Sequence, residues 1–235
     1  MLWTLRLRAV VRGHVLGAWS GHVVAVRDAP ARSDVRLRQV PLAALLVGLT
    51  ATTLWSLGQT IVKEPAEIER IAAAAAVADR ALAALLPEIR VGTTEARLAW
   101  RLEVLIREGG AEALAFDVAA LAGPRAALPH GSPGPHPVRA GRVLLFDFGA
   151  QVAGYRSDMT RTLFVGSPAD RDLAVYDLVA SAQEAAIALL EAAVAAGGRL
   201  PSGRAVDAAA RDRITAAGHG AHFGHGTGHG IGLAT

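Results

Sequence analysis

The chain has 235 residues, of which 52% are hydrophobic and 19% charged, so it can bury a core and is not a disordered tail. It contains no cysteine, which excludes disulfides, zinc ribbons, iron–sulfur clusters and thiol catalysis and predicts a reducing, cytoplasmic location. The net charge of +3 is unevenly distributed. Residues 1–63 hold 8 basic and 2 acidic side chains, and residues 64–235 hold 16 basic and 19 acidic ones. Most of the chain therefore has no basic face that would indicate nucleic-acid binding.

Residues 1–62 are predicted to form an irregular N-terminal segment, separate from a domain at 63–235. Seven arginines are scattered through residues 1–38 without a helical or strand period, and residues 39–62 carry no charge. The stretch 41–62 is long enough to cross a bilayer, but its Thr, Ser, Gln, Gly and Pro residues make it only moderately hydrophobic. We expect a remnant or a reading-frame artefact rather than a membrane anchor, and a tethered protein is the alternative.

The regular part of the chain predicts an α+β fold, with helices flanking antiparallel strands rather than a doubly wound parallel sheet. A loop-rich stretch at 123–141, with five prolines and four glycines, precedes two strand-like runs at 143–148 and 155–165. Apolar periodicity together with glycine and proline signals predicts four helices, over residues 64–86, 94–108, 168–196 and 204–217.

Asp147 is the first residue along the chain that indicates a functional site. It lies inside the apolar run LLFDFG, where an ionised carboxylate is costly unless a positive group compensates it. An aspartate at a strand end, held by turn amides, is an equally acceptable interpretation of this residue alone. A kinase-type Asp-Phe-Gly is excluded, because no glycine-rich phosphate loop precedes it and Lys63 is the only lysine in the chain.

Asp158 follows eleven residues later, in GYRSDMTRT. If the two strand-like runs form a hairpin that turns near residues 152–153, Asp158 lies opposite Asp147, with about 5 Å between the Cβ atoms. Two carboxylates at that distance repel unless they share a proton or a cation. A divalent metal, or a pair of them, is the favoured interpretation, and an ion pair with Arg156 or Arg161 is the alternative.

A histidine-rich tract, HFGHGTGHGIG, lies near the end of the chain. His225 and His229 are four residues apart, but the interleaved glycines favour an extended or looped segment over a helix. The tract does not match G-x-G-x-x-G, so dinucleotide binding has no support. The histidines alone are weak evidence for metal, and together with the two aspartates they become strong evidence. His130, in ALPHGSPG, would by itself be interpreted as an exposed loop residue.

These motifs together resemble a known family. DFGAQVAGYRSDMTRT followed by HGTGHGIGL is similar to the Xaa-Pro dipeptidases and aminopeptidases P, the creatinase or pita-bread metallopeptidases, over about residues 63–235. The resemblance implies an incomplete pita-bread catalytic domain with two divalent ions, manganese most of all and cobalt or zinc otherwise. It implies a peptide substrate with proline at the second position. Neither nucleic acid nor a membrane is expected as a partner, and a homodimer is the assembly considered.

The resemblance also implies roles for five residues. Asp147, Asp158 and His229 correspond to metal ligands, with Asp158 bridging the two ions. His225 and His130 correspond to the histidines that contact substrate and steady the tetrahedral intermediate. In this family a metal-bridging hydroxide attacks the scissile carbonyl, and the ions hold the developing oxyanion.

The sequence also departs from the family pattern. The family completes its metal site with two glutamates and has a further histidine shortly after GIGL, whereas this sequence ends at Thr235. Arg125 stands where these dipeptidases usually have asparagine. We therefore expect a C-terminally truncated peptidase with three of five ligands and little or no activity. The alternatives are a metal-free pita-bread module that binds proteins and a creatinase-like hydrolase of a small non-peptide substrate.

Overall fold

The computed structural model of the protein describes residues 62–235 and, before them, the backbones of two short antiparallel strands, β1 (Val15–Trp19) and β2 (His22–Ala25). Nearly all of the uncharged stretch 41–62 lies outside the described residues. The division of the chain at residue 62 and the membrane-anchor alternative therefore stay predictions.

Two helices pack against each other and against the strands. α1 (Pro65–Leu85) begins at a cap where Glu67 accepts a hydrogen bond from the Glu64 amide at 2.7 Å. α2 (Glu95–Glu108) begins after Thr94, whose hydroxyl accepts from the Arg97 amide at 3.3 Å. Each helix buries one apolar stripe, and the predicted bounds 64–86 and 94–108 are confirmed to within one residue.

Six short strands form two antiparallel sheets of three strands each. The strands are β3 (Ala113–Leu114), β4 (Ala119–Ala122), β5 (Arg142–Phe148), β6 (Ala150–Val152), β7 (Tyr155–Arg156) and β8 (Met159–Val165). In one sheet β4 and β8 flank β5, and in the other β3 and β7 flank β6. β5 pairs with β8 along its whole length.

The predicted register of the aspartates is wrong. Asp147 lies opposite Thr160, and Asp158 comes one residue before β8 begins. The run 155–165 is divided because β6 and β7 form a hairpin of their own, which turns at Ala153 and Gly154 with φ of 49° and 79°. The chain therefore leaves one sheet after β5, makes this hairpin in the other sheet and returns at β8, so Asp158 is not directly opposite Asp147.

Alternation along β5 decides which way Asp147 faces. Phe146 and Phe148 are fully buried in the main core, where they pack with apolar residues of α1 and α2. Because successive side chains of a strand point to opposite faces, Asp147 faces away from that core. Burial of the two phenylalanines thus places a carboxylate on the opposite face of the sheet.

The last two helices pack against each other and precede the histidine-rich tract. α3 (Asp170–Ala195) begins after Ala169, two residues later than predicted, and α4 (Gly203–Ala216) begins after Ser202, whose hydroxyl accepts from the Ala205 amide. Among the described helices, α3 is the one long and apolar enough to cross a membrane by length and composition. The helices meet through small and branched apolar residues, Ala182, Ala186, Ala210 and Ile214.

The histidine-rich tract follows α4 as a loop. A short 3-10 turn at Gly220–His222 leads into residues 223–235, which have no regular secondary structure. The expectation that glycine content would keep this tract out of a helix is confirmed.

Candidate metal centre

Asp147 lies in a setting that disfavours its charge. The Thr160 hydroxyl donates to its Oδ1 at 2.9 Å, so a side chain of the neighbouring strand supplies its hydrogen bond. Burial raises the pKa of Asp147 above its ordinary value, and the nearby Asp158 carboxylate raises it further, while the Thr160 bond and the imidazoles of His130 and His229 act in the opposite direction. The structure thus brings Asp158, His229 and His130 within electrostatic range of Asp147.

Asp158 lies closest to the C-terminal imidazole. Its carboxylate is buried, and its Oδ2 is 3.5 Å from Nε2 of His229. Of the two arginines that offered an ordinary alternative, Arg156 donates to the Ala115 carbonyl at 2.8 Å and Arg161 donates to Asp79 at 3.3 Å. The imidazole is therefore a direct neighbour of Asp158, as the metal interpretation requires.

The rings of His225 and His229 are both oriented by the backbone. Nδ1 of His225 lies 2.9 Å from the Gly226 carbonyl oxygen, and Nδ1 of His229 lies 2.9 Å from the Gly230 carbonyl oxygen. A carbonyl oxygen can only accept, so Nδ1 carries the proton in each ring. In the neutral ring the lone pair then lies on Nε2, which is the arrangement found in metal-ligating histidines.

The Asp158–His229 pair fits a shared divalent ion. A carboxylate oxygen and an imidazole nitrogen that lie 3.5 Å apart are close enough to bind the same ion. Within residues 62–235, however, no group of three or more His, Asp or Glu side chains is assembled as a metal site. The structure thus joins two of the three predicted ligands and places Asp147 near them, and the complete ligand set stays a prediction.

His130 is exposed on the loop between β4 and β5. His225 is also exposed, and 52% of the His229 side chain is accessible. Accessible imidazoles are suited to contacting a bound peptide, which is the role that the resemblance implies for His130 and His225. Their contact with substrate stays a prediction.

A buried carboxylate that the sequence analysis did not single out anchors the loop of His130. Glu95 is fully buried at the first position of α2. Its Oε1 accepts from the Ala122 amide at 2.8 Å, and its Oε2 accepts from the Gly134 amide at 3.0 Å. One side chain therefore ties together both ends of the segment 123–133.

Arg125 completes this anchor. Its Nε lies 3.1 Å from both carboxylate oxygens of Glu95, and its guanidinium also donates to the Ser132 carbonyl at 2.7 Å. The arginine that departs from the expected asparagine thus neutralises a buried charge and crosses the loop that carries His130. A glutamate after a threonine cap is common at helix starts, so the sequence held no signal that separated Glu95 from an ordinary helix residue.

Replacing Asp147 with asparagine is expected to raise the apparent melting temperature at pH 7. A carboxyl whose pKa is raised by folding favours the fold when protonated, below its unfolded value near 3.8, and loses that contribution as the pH rises through the folded pKa. Asparagine keeps the acceptor for Thr160 without the charge. Thermal unfolding from pH 4 to pH 8, in chelator, should show the two proteins converging towards acid pH. A variant less stable than the wild type at pH 7 would contradict this reason.

Comparison with known proteins identifies the family to which the chain belongs. The model of metallopeptidase family M24 matches residues 69–235. The Xaa-Pro dipeptidase of Pyrococcus horikoshii is 36% identical over 173 residues, which are 74% of this chain and 47% of that protein. The chain therefore spans about half the length of the curated relatives it matches.

Solved structures give the same relationship in three dimensions. An Xaa-Pro dipeptidase from Bacillus anthracis superposes with a TM-score of 0.67 at 39% identity, covering 73% of this chain and 46% of that one. An X-Pro aminopeptidase from Thermotoga maritima superposes with a TM-score of 0.69 at 38% identity, covering 73% and 47%. Family motifs, fold and similarity thus converge, and the chain belongs to metallopeptidase family M24, whose members have the pita-bread fold.

Proposed function

We propose that this chain carries part of the active site of a metal-dependent peptidase that removes an N-terminal residue preceding proline. The observation that carries the proposal is the contact of Asp158 Oδ2 with His229 Nε2 at 3.5 Å, with His229 Nδ1 held by a backbone carbonyl. A carboxylate and an oriented imidazole in contact are the ordinary ligands of catalytic divalent ions. The relatives named Xaa-Pro dipeptidase and X-Pro aminopeptidase support the substrate class.

Each residue has a proposed task in this site. Asp158, His229 and Asp147 would hold two divalent ions, and ligation dominated by oxygen suits manganese at least as well as zinc or cobalt. When bound, such ions activate water and polarise a carbonyl group. His225 has its Nδ1 proton bound to Gly226, so its Nε2 is the atom left to contact substrate. His130 would approach the same peptide from the β4–β5 loop.

We further propose that the chain of 235 residues has little or no peptidase activity. The resemblance implies five ligands, and the described residues supply three candidates, of which two are in direct contact. An active site of this class depends on holding the reacting groups in a preorganised geometry. A weakly held metal would not provide such a geometry.

Metal binding and peptide hydrolysis test these proposals separately. Calorimetric titration with Mn²⁺ should show binding to the wild-type chain, and Asp158→Asn should weaken it by about tenfold or more, in the range seen when ligand geometry is disturbed. Asp117→Asn is the matched control, because Asp117 is exposed and is not among the predicted ligands. Equal affinities for the two variants would contradict the proposed ligands, and no binding by any of the three proteins would favour the metal-free module.

Hydrolysis of an Xaa-Pro dipeptide with Mn²⁺ is the second measurement. We expect a rate no higher than that of the Asp158→Asn variant, which serves as the background. A wild-type rate clearly above this background would overturn the proposed inactivity and would support the peptidase reaction itself.

A further inference from the structure

We propose that Asp207 and Arg211 of α4 form a clamp that positions the histidine loop, residues 219–230, for metal binding. This inference rests on the metal site proposed above. Neither residue belongs to the predicted ligands, and both act through the loop rather than on substrate. They are therefore positioning residues.

The two side chains are joined to each other in a fixed geometry. They are four residues apart on α4, so they lie on the same face of the helix. Nε of Arg211 is 2.6 Å from Asp207 Oδ2, and a terminal nitrogen is 3.0 Å from Oδ1. This bidentate contact orients the planar guanidinium and leaves its outer N–H groups pointing away from the helix.

Those outer N–H groups hold the loop. Arg211 donates to the Phe223 carbonyl and to the His225 carbonyl, each at 2.7 Å. Its guanidinium carbon also lies 4.4 Å from the centroid of the Phe223 ring, at cation–π distance. One arginine thus fixes the backbone on the N-terminal side of the candidate ligand His229.

Asp207 holds the next part of the same loop. Its Oδ1 accepts from the Thr227 amide and from the Thr227 hydroxyl, both at 2.9 Å. The Arg211 bonds, followed by those of Thr227, keep the pKa of Asp207 well below its ordinary range, so the acceptor stays ionised. The clamp therefore grips residues 223, 225 and 227, and the last of these is two residues before His229.

The composition of the loop explains why a clamp is needed. Glycine occupies every second position from 224 to 230, and glycine loses more backbone freedom on ordering than any other residue. The Nδ1 bonds of His225 and His229 go to the carbonyl of the next residue. Such local bonds orient the rings but do not attach the loop to α4. The Asp207–Arg211 pair makes that attachment.

A double variant in which the two side chains exchange places distinguishes a clamp from an ordinary ion pair on the helix surface. The double variant Asp207→Arg/Arg211→Asp restores opposite charges four residues apart, but it presents a carboxylate to the two loop carbonyls and a guanidinium to Thr227. We expect helix content to be retained, Mn²⁺ affinity to fall by about 10- to 100-fold, and exchange of the Thr227 amide hydrogen to accelerate at least as much. Arg107→Ala is the control, because it breaks the Glu103–Arg107 pair of α2.

Asp207→Asn serves as the milder second variant. It preserves the shape and one acceptor oxygen, so it should shift the same two measurements in the same direction by a smaller factor. Broadening of the His229 ring signal by Mn²⁺ should be clear in the wild type and reduced in both variants. If Thr227 exchange and Mn²⁺ affinity in the exchanged variant match those of the wild type, the clamp is overturned.

The same experiment separates the two proposals. A wild-type chain that binds no Mn²⁺ but shows the slow Thr227 exchange, lost in the exchanged variant, would contradict the metal site and support a clamp on the loop alone. A wild-type chain that binds Mn²⁺ through Asp158, with no effect of the exchanged pair, would support the metal site and reject the clamp.

Discussion

Replacing Glu95 with alanine is expected to destabilise the protein by about 3 to 5 kcal/mol, because it removes the buried acceptor of two backbone amides and of the partly exposed Arg125. The Glu95 carboxylate is fully buried and accepts from two backbone amides and from Arg125. Its loss would leave the Ala122 and Gly134 amides without an acceptor and Arg125 without its anion. Denaturant unfolding followed by circular dichroism measures the change.

Glu88→Ala is the matched control for this prediction. Glu88 also accepts a two-pronged contact from an arginine, Arg101, with distances from 2.8 to 3.1 Å. That pair is exposed, so solvent screens the charges and the loss should be much smaller. Similar losses for the two variants would show that burial of Glu95 contributes little.

The conservative variant Glu95→Gln adds a second readout. It keeps the size of the side chain and one acceptor, but it cannot neutralise Arg125. We expect an intermediate loss of stability and faster hydrogen exchange at the Gly134 amide, because the segment that carries His130 is tied down from both ends. Unchanged exchange at Gly134 would contradict the anchoring of this loop by Glu95.

Replacing Gly149 with alanine is expected to cost about 3 kcal/mol or more, the upper end for overpacking against an unyielding neighbour. A Cβ at this position would overlap the Ser157 carbonyl oxygen and come within 2.8 Å of Ala115 Cβ. The obstacle is backbone, so the chain itself must move. The affected peptide leads directly into Asp158, and we expect Mn²⁺ affinity to fall together with stability.

Gly203→Ala is the control for the glycine substitution. Gly203 is the first residue of α4, and a Cβ there would meet no atom within 4 Å. Alanine should stabilise the helix by about 0.5 kcal/mol, because it restricts the unfolded chain and favours helix. Unfolding measurements on both variants should therefore give opposite signs. A Gly149 variant as stable as the wild type would contradict the close approach of residues 149 and 157.

The elements that depend on local chemistry were predictable from the sequence. The bounds of α1 and α2 were predicted within one residue, because caps, apolar periodicity and proline or glycine stops all lie inside the element itself. The start of α3 was set two residues early, at Ser167-Pro168, where the observed cap is Ala169 without a side-chain bond. Local signals fail there because the capping residue, Ala169, makes no side-chain hydrogen bond to the free amides at the start of the helix.

The same reasoning could not predict the register between β5 and β8. The strand-like run from 155 to 165 is equally compatible with one strand or with two strands in different sheets, since both bury alternate side chains. The separate β6–β7 hairpin and the close contact of Gly149 with Ser157 placed Asp147 opposite Thr160. Contacts of this kind between strands leave no periodic signal in the chain.

The sequence by itself determined the family, the α+β class and the candidate residues Asp147, Asp158 and His229, because each lies in a motif whose residue types are required by its chemistry. Only the tertiary structure decided which of these groups touch, and it disclosed the two acid–arginine pairs, Glu95 with Arg125 and Asp207 with Arg211, that hold the loops around them. The physical reason is the same in both cases. A charged side chain is recognised as an anchor only by the amides and carbonyls that surround it, and folding brings those groups from distant parts of the chain.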